Sequence, residues 1–550
     1  MSKDTLHYPE TTLPYAHENG TNDKLEHGIK REMKSRHISM ISIGGTIGTG
    51  LFIASGGTIA TAGPLGALLA YAFMGFTVFC IMTALGEMST LIPVSGSFNH
   101  YASRFVDPAL GFALGWNYWL SWAVTISVEL AAAGIIIAFW KEVMPSYLWS
   151  LVILALILIF NLFGGKGYGE TEYWLSFTKI VTVFIFIIIG VLVASGAIGG
   201  TTYGFSNWSS PGAIRTDTKP SDAESLPTQD YEPGLNAFFN ICATMVTVGF
   251  SYMGTELVGI AAGESANPRK AVPKAIRNVF WRILFFFLCT IFLMGLIIPY
   301  NDPTLLSGED VTQAPFTTVF QRANIKSAAD ILNAVLLTVI ISASNSALFC
   351  GSRTLMAMSR EGKAPRILGW VNGRGVPIPA LLVTSVFGLV VAAMQYYIPS
   401  ETFAWVVSIS SISGFISWAG IGFTHYRFRK AYVAQGRDVS RLPYKAWGFP
   451  FSSLFGGSVC AIIAITNVAV AIWPVWSLEE FFKCALTLAI FIVLFVSYKL
   501  IKRTRMVPLL ECDFDTGVRW SDIAHEQDTY VKRPRTPMGM VKSCFGQFFG

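Results

Sequence analysis

Twelve apolar stretches divide this chain, each about as long as a bilayer is thick, and they constrain its fold more than any other feature. They run over 39–60, 66–91, 109–139, 147–164, 173–198, 236–260, 279–299, 330–352, 379–397, 402–424, 453–474 and 481–500. A hydrocarbon core of ~30 Å needs ~20 apolar residues per helix. The runs are too long for buried strands. They also lack the ~10-residue segments of alternating polarity that mark outer-membrane barrels. The expected fold class is an all-α polytopic membrane protein with twelve transmembrane helices. Composition agrees, because charged residues make up only 13% of the 550, against ~25% in soluble domains. A soluble enzyme, a disordered scaffold and a nucleic-acid binder are excluded together, and the net charge of +6 does not restore the last.

Lysine and arginine set the orientation, since they concentrate on the cytoplasmic side. With a cytoplasmic N-terminus, the loops after the even-numbered spans carry 17 of them and those after the odd-numbered spans carry five. Both termini are therefore expected inside. The expected organisation is a cytoplasmic N-terminal tail over 1–38, a transporter-sized membrane domain over 39–505 and a cytoplasmic C-terminal tail over 506–550. The polar N-terminus is not expected to be a signal peptide. Ser2 stands where N-myristoylation requires glycine. Asn207-Trp208-Ser209 forms a glycosylation sequon in an outer loop. Cys80, Cys242, Cys289, Cys350, Cys460 and Cys484 lie in apolar runs without metal-ligand or disulfide spacing.

Two spans break the membrane pattern. Span 1 contains Gly44-Gly45-Thr46-Ile47-Gly48-Thr49-Gly50, four glycines in seven residues. Glycine weakens a helix interior. One reading is an unwound break near mid-membrane, whose free N–H groups and following half-helix N-terminus would bind an anion such as a carboxylate. The other is close helix packing through small residues. Span 6 contains Gly249-Phe250-Ser251-Tyr252-Met253-Gly254-Thr255-Glu256, with glycines, polar groups and a carboxylate. Interrupted helices at matching positions of two five-helix halves mark an inverted-repeat transporter. One break offers N–H groups and the other C=O groups, which together suit a zwitterion such as an α-amino acid.

Charges inside the spans are costly and point to function. Ser121, Thr125 and Glu129 recur at every fourth residue and so share one face of span 3, as the wall of a polar cavity would. Glu129 could instead be a structural acid. Lys179 in span 5 reads as a proton carrier or as a lysine snorkelling to the inner surface. Glu256 could bind a substrate amine or cap the half-helix that follows it. Glu87 and Arg282 lie near the inner ends of spans 2 and 7 and read as structural. The loop 263–277 is a basic, proline-framed segment at the inner surface. There is no Walker A motif, no enzymatic constellation and no metal or cofactor signature, so the chain is expected not to be an enzyme.

These residues resemble a known family. GGTIGTGLF in span 1, GKGYGETE (165–172), GTELVGIAAGESANPRKAVPKAI (254–276), PYND (299–302), ISASNSALFCGSRTL (341–355) and GVPIPALLVTS (375–385) look like the fungal amino-acid permeases of the amino acid–polyamine–organocation superfamily. The likeness covers about 37–505 and is closest to the basic (lysine/arginine) permeases. It implies the fold of the bacterial leucine transporter, a 5+5 inverted repeat (about 39–198 and 236–424) plus two helices (about 453–500). It also implies a plasma-membrane proton symporter for amino acids. By the same resemblance Thr46, Gly48, Thr49 and Gly50 would hold the substrate carboxylate, and the carbonyls around Phe250, Ser251 and Tyr252 its amino group. Lys179, Glu129 and Glu256 would serve proton coupling. Ser121 matches the arginine type and Ser410 the lysine type, a mixed pattern. The expected activity is proton-coupled import of an L-amino acid, with lysine or arginine favoured. A broad-range permease, an exchanger without proton coupling and a non-transporting sensor on the same fold are the alternatives. The expected partners are membrane lipid, no nucleic acid, and ubiquitin-ligase machinery at tail lysines Lys24, Lys30 and Lys34. Cys544 is a candidate for lipidation.

Overall fold

The computed structural model describes residue 40 and residues 47–94, 96–138, 140, 144–217, 232–263, 268–306, 315–324, 327–472 and 478–518. The tail lysines and Cys544 lie outside the described residues. Among those described there is no strand. The principal helices are α1 (Gly50–Leu91), α2 (Ser97–Phe105), α3 (Pro108–Ala138), α4 (Ser146–Asn161), α5 (Gly164–Ala194), α6 (Pro233–Tyr252), α7 (Leu257–Gly263), α8 (Pro268–Arg282), α9 (Cys289–Ile297), α10 (Ala328–Arg360), α11 (Ile378–Tyr397), α12 (Pro399–Ala434), α13 (Phe451–Ile472) and α14 (Leu478–Lys502). Among the described residues, each of the twelve apolar runs is mostly helical. Eight described helices are long and apolar enough to cross a membrane, with two shorter apolar ones beside them. Large apolar side chains such as Phe184, Ile188, Leu389 and Ile465 point outward and stay exposed. A belt like that belongs against lipid rather than water.

α1 carries the first two runs in one element because Gly63 turns the corner between them at φ 77°, ψ 168°. An L side chain there would place its Cβ 2.7 Å from Arg215 N. Pro64 follows and has no N–H to leave unpaired. The backbone groups freed at the corner are bonded by the outer loop, Leu65 N–H to the Ala213 carbonyl at 2.8 Å and Arg215 N–H to the Ala62 carbonyl at 3.2 Å.

Helix packing carries an internal symmetry. α3 packs on α10 and α4 on α11. The pairs α3–α4, α4–α5, α3–α11 and α3–α12 have the counterparts α10–α11, α11–α12, α10–α4 and α10–α5, and the pair α5–α9 has the counterpart α12–α1. In each of these pairs, exchanging both helices for the ones five spans along gives another packed pair. An odd repeat length turns the second half upside down, as an inverted 5+5 repeat requires. α13 and α14 stand outside the exchange and pack against α12, α1 and α3.

Several boundaries differ from the sequence expectation. GKGYGETE (165–172) is the first two turns of α5, not a loop. The basic segment after span 6 forms α8 and runs on into span 7 through a π-wound stretch, Ile283–Leu288. α12 continues three turns beyond 424 and carries Arg427 and Arg429 on the helix. Glu87 is fully buried. It pairs with Arg429, faces His425 Nε2 at 3.3 Å and accepts the Ala446 N–H at 2.6 Å, which makes it a structural pin between α1, α12 and the following loop. The C-terminal tail docks instead of leaving at 506. Val507 N–H bonds the Val106 carbonyl at 2.8 Å, Arg437 pairs with Asp515, and Phe514 is buried among Phe105, Phe428 and Tyr432. The sequon side chain Asn207 donates to the Leu296 carbonyl at 2.7 Å, so a glycan there would displace that hydrogen bond.

Candidate functional site

The two irregular stretches meet backbone to backbone. α1 begins only at Gly50, after the non-helical Ile47 and Gly48, and its N-terminal residue Thr49 gives the first amides no side-chain cap. Thr46 and the glycines before it lie outside the described residues. α6 ends at Tyr252. Met253 is extended (φ −61°, ψ 150°), Gly254 has φ 86°, and α7 restarts at Leu257. Gly50 is where the two breaks touch, because a Cβ on it would lie 2.5 Å from Ser251 Cα. Of the two readings of the glycine run, the described part supports both together: the helix is broken, and its glycine permits close packing against the second break.

A cavity opens between these breaks. Its walls include Gly48, Thr49, Gly50, Ser121, Thr125, Glu129, Phe250, Ser251 and Glu256. Tyr252 and Ser410 do not line it. Tyr252 turns away and donates to the Tyr71 carbonyl at 2.9 Å. Ser410 is buried behind Thr125, hydroxyl to hydroxyl at 2.8 Å. The stripe Ser121, Thr125 and Glu129 shares one face of α3, as every-fourth-residue spacing dictates. Glu129 is 3% exposed. One carboxylate oxygen accepts the Thr49 hydroxyl at 3.1 Å, and the other, Oε2, has no hydrogen-bond partner among the described residues. A buried bare carboxylate oxygen is costly unless a ligand or water meets it.

Glu256 is different. Its carboxylate accepts the Gly254 N–H at 3.3 Å, the Tyr118 hydroxyl at 3.3 Å and the Trp418 indole N–H at 3.1 Å. It ties the α6–α7 break to α3 and α12. Phe250 packs with Val124, Val128 and Val406 across one side of the cavity. The carbonyls of Phe250 and Tyr252 accept the N–H groups of Met253 and Thr255 at 3.1 and 3.4 Å. A carbonyl can accept two hydrogen bonds, so Phe250 keeps capacity for an ammonium group, while Tyr252, which also accepts the Thr255 hydroxyl at 3.0 Å, has both positions filled.

Lys179 does not snorkel. It is fully buried, with Nζ 3.9 Å from Glu172 Oε1. Glu172 went unnoticed as a candidate because the apolar run appeared to start at residue 173, one position later. The signal was present: Glu172 and Lys179 are seven residues apart, two turns along one face of a helix. Trp418, Tyr118, Met253 and Ser346 were also missed. They are ordinary membrane-helix residue types, and only the tertiary packing brings them to the site.

The amino acid permease family model matches residues 37–511. The lysine-specific permease LysP of Lactococcus lactis subsp. cremoris is 43% identical over 500 residues, covering 90% of this chain and 95% of its own. LysP of Escherichia coli is 42% identical, with 88% and 96% covered. The histidine permease HisP of the same Lactococcus strain is 40% identical, with 88% and 98% covered. Such identity, spread over nearly the whole of each chain and including both broken spans, makes this chain a member of the amino acid permease family of membrane transporters.

Proposed function

We propose that this chain imports cationic amino acids, lysine foremost, by proton symport with alternating access at the plasma membrane, both termini being cytoplasmic. The observation that carries this reading is the bare Oε2 of Glu129. It is buried in the cavity between two helix breaks, where the other lining carboxylate, Glu256, is already held by three protein donors. A cationic side chain placed there satisfies an otherwise costly group. The uncapped start of α1, with Thr46 to Gly50, would take the substrate carboxylate. The carbonyls of Phe250 and Ser251 would take the α-amino group. Ser121 and Thr125, backed by Ser410, form the polar wall, and Phe250 is the outer lid. Glu129 and Lys179 serve proton coupling, with Glu256 holding the break. Two relatives named for lysine support the substrate class. An inside-negative potential favours entry of a cation by ~2.3 kcal/mol per charge per 100 mV.

The test is labelled-lysine uptake into proteoliposomes, with competition by the twenty amino acids and the potential clamped. Lysine and arginine should compete best, and collapsing the pH gradient should lower uptake. Glu129→Gln should abolish lysine uptake at normal expression. Equal competition by neutral amino acids, or unchanged uptake in Glu129→Gln, would remove the cationic reading.

A further inference from the structure

Three buried polar atoms are bare, one of them in the cavity wall, and they are not explained by substrate binding alone. Lys179 Nζ, Glu172 Oε2 and Glu129 Oε2 have no hydrogen-bond partner among the described residues. All three side chains are buried, those of Glu172 and Lys179 completely. Lys179 lies within electrostatic reach of both acids. Its contact with Glu172, at 3.9 Å, is a charge contact too long for a hydrogen bond. A buried ammonium normally spends its three donors. Here it contacts the Glu172 carboxylate and feels the charge of Glu129, and is hydrogen-bonded to neither.

Glu172 is the better anchored of the two acids. Its Oε1 accepts the Ser342 hydroxyl at 2.6 Å and the Ser176 hydroxyl at 3.1 Å. Ser342 is on α10, so Glu172 is fixed to the opposite repeat. Glu129, by contrast, faces the cavity through Thr49, which belongs to the broken span. The other titratable groups around Glu172 are Tyr168 on its own helix, and Cys350 and Arg353 on α10, which it meets through Tyr168. A fixed acid, an unbonded cation and a cavity-facing acid make up a two-position switch.

Resting on the symport reading, we infer that Glu172 is the fixed counter-ion of Lys179 and so a positioning residue for proton coupling. When Glu129 is ionised, both acids attract Lys179. When a proton from the outer side binds Glu129, its charge is lost and Lys179 settles on Glu172. When Glu129 releases that proton inward, Lys179 is drawn back. Lys179 stays an ammonium and Glu172 a carboxylate throughout, so one proton enters and one leaves. Without Glu172, Lys179 has only Glu129 to pair with. It then holds that carboxylate ionised and blocks proton uptake.

The experiment measures proton movement per lysine and lysine counterflow in proteoliposomes. Counterflow exchanges substrate without net proton turnover. Wild-type protein is measured first. If lysine moves no protons, the symport reading fails and this inference falls with it. If it does, Glu172→Gln should cut coupled proton movement by about tenfold or more, the equivalent of one pKa unit. Counterflow should stay near wild type, and Glu172→Asp should restore part of the coupling. The double variant Glu172→Gln/Lys179→Met should be no worse coupled than Lys179→Met alone, because both remove one interaction. Wild-type coupling in Glu172→Gln would overturn this inference alone. So would an equal loss of counterflow and coupling in both Gln and Asp variants, or additive losses in the double variant.

Discussion

The contact between the two breaks can be tested at one atom. Gly50→Ala adds a Cβ 2.5 Å from Ser251 Cα, 2.9 Å from its Oγ and 3.0 Å from its N. Two of those three atoms are backbone, so no rotamer change relieves the clash. Carbon atoms rest at ~3.5–4.0 Å, so the breaks must part by ~1 Å. Overpacking of this kind costs ~1–3 kcal/mol. If that cost falls on the bound geometry, it corresponds to a ~5-fold to ~150-fold rise in KM for lysine. Gly57→Ala is the matched control, since its added Cβ meets nothing within 4 Å among the described residues. Both substitutions remove the same unfolded-chain freedom, so that effect cancels. The assay is initial-rate uptake of labelled lysine, normalised to inserted protein, with thermal unfolding in detergent alongside. Gly57→Ala should match wild type. A Gly50→Ala variant within twofold of Gly57→Ala in KM, and equal in unfolding temperature, would refute the close approach of the two breaks.

Two further outcomes are expected at the face where the C-terminal segment docks. Phe514 is 1% exposed among Phe105, Phe428 and Tyr432. Truncating a buried phenylalanine to alanine costs ~3–5 kcal/mol, so Phe514→Ala should lower the unfolding temperature and open the C-terminal segment to protease. Unchanged proteolysis would show that the docked segment adds no stability. Burial alone would raise the Glu361 carboxyl, but the His100 hydrogen bond and the Lys363 ammonium outweigh it and hold it at about 2. A value depressed in the folded state stabilises fully above the ordinary 4.5 and is lost as pH falls toward about 2. The unfolding-temperature gap between wild type and Glu361→Gln should therefore stay constant from pH 8 to 5 and close only below that. A gap that vanishes by pH 6 would contradict the assignment.

The class of fold and the place of the site were legible without coordinates. Apolar run length is a local property, and a bilayer leaves a ~20-residue stretch little choice but a helix. The glycines of spans 1 and 6 stood out for the same reason, because nothing in a continuous membrane helix requires them. Glu129 stood out because an intramembrane charge is expensive wherever it sits. Helix ends were less legible. α5 and α12 run past their apolar runs on polar and charged residues, and there hydropathy stops reporting helix.

Which of the buried acids is satisfied lay beyond the sequence. Glu256 and Glu129 look alike as acids in apolar surroundings, yet one is held by donors from α3, α12 and its own break, and the other keeps an oxygen bare. Lys179 could equally have snorkelled, until Glu172 was found 3.9 Å from it. What a buried charge does depends on which groups reach it; for Glu129 and Glu256 those come largely from other helices, while the partner of Lys179 lies on its own helix. The sequence by itself determined a helical membrane transporter with two broken spans and a few inner charges. Only the tertiary structure decided which of those charges are satisfied and which remain open, because satisfaction is a matter of distances across packed helices, and local composition carries no record of them.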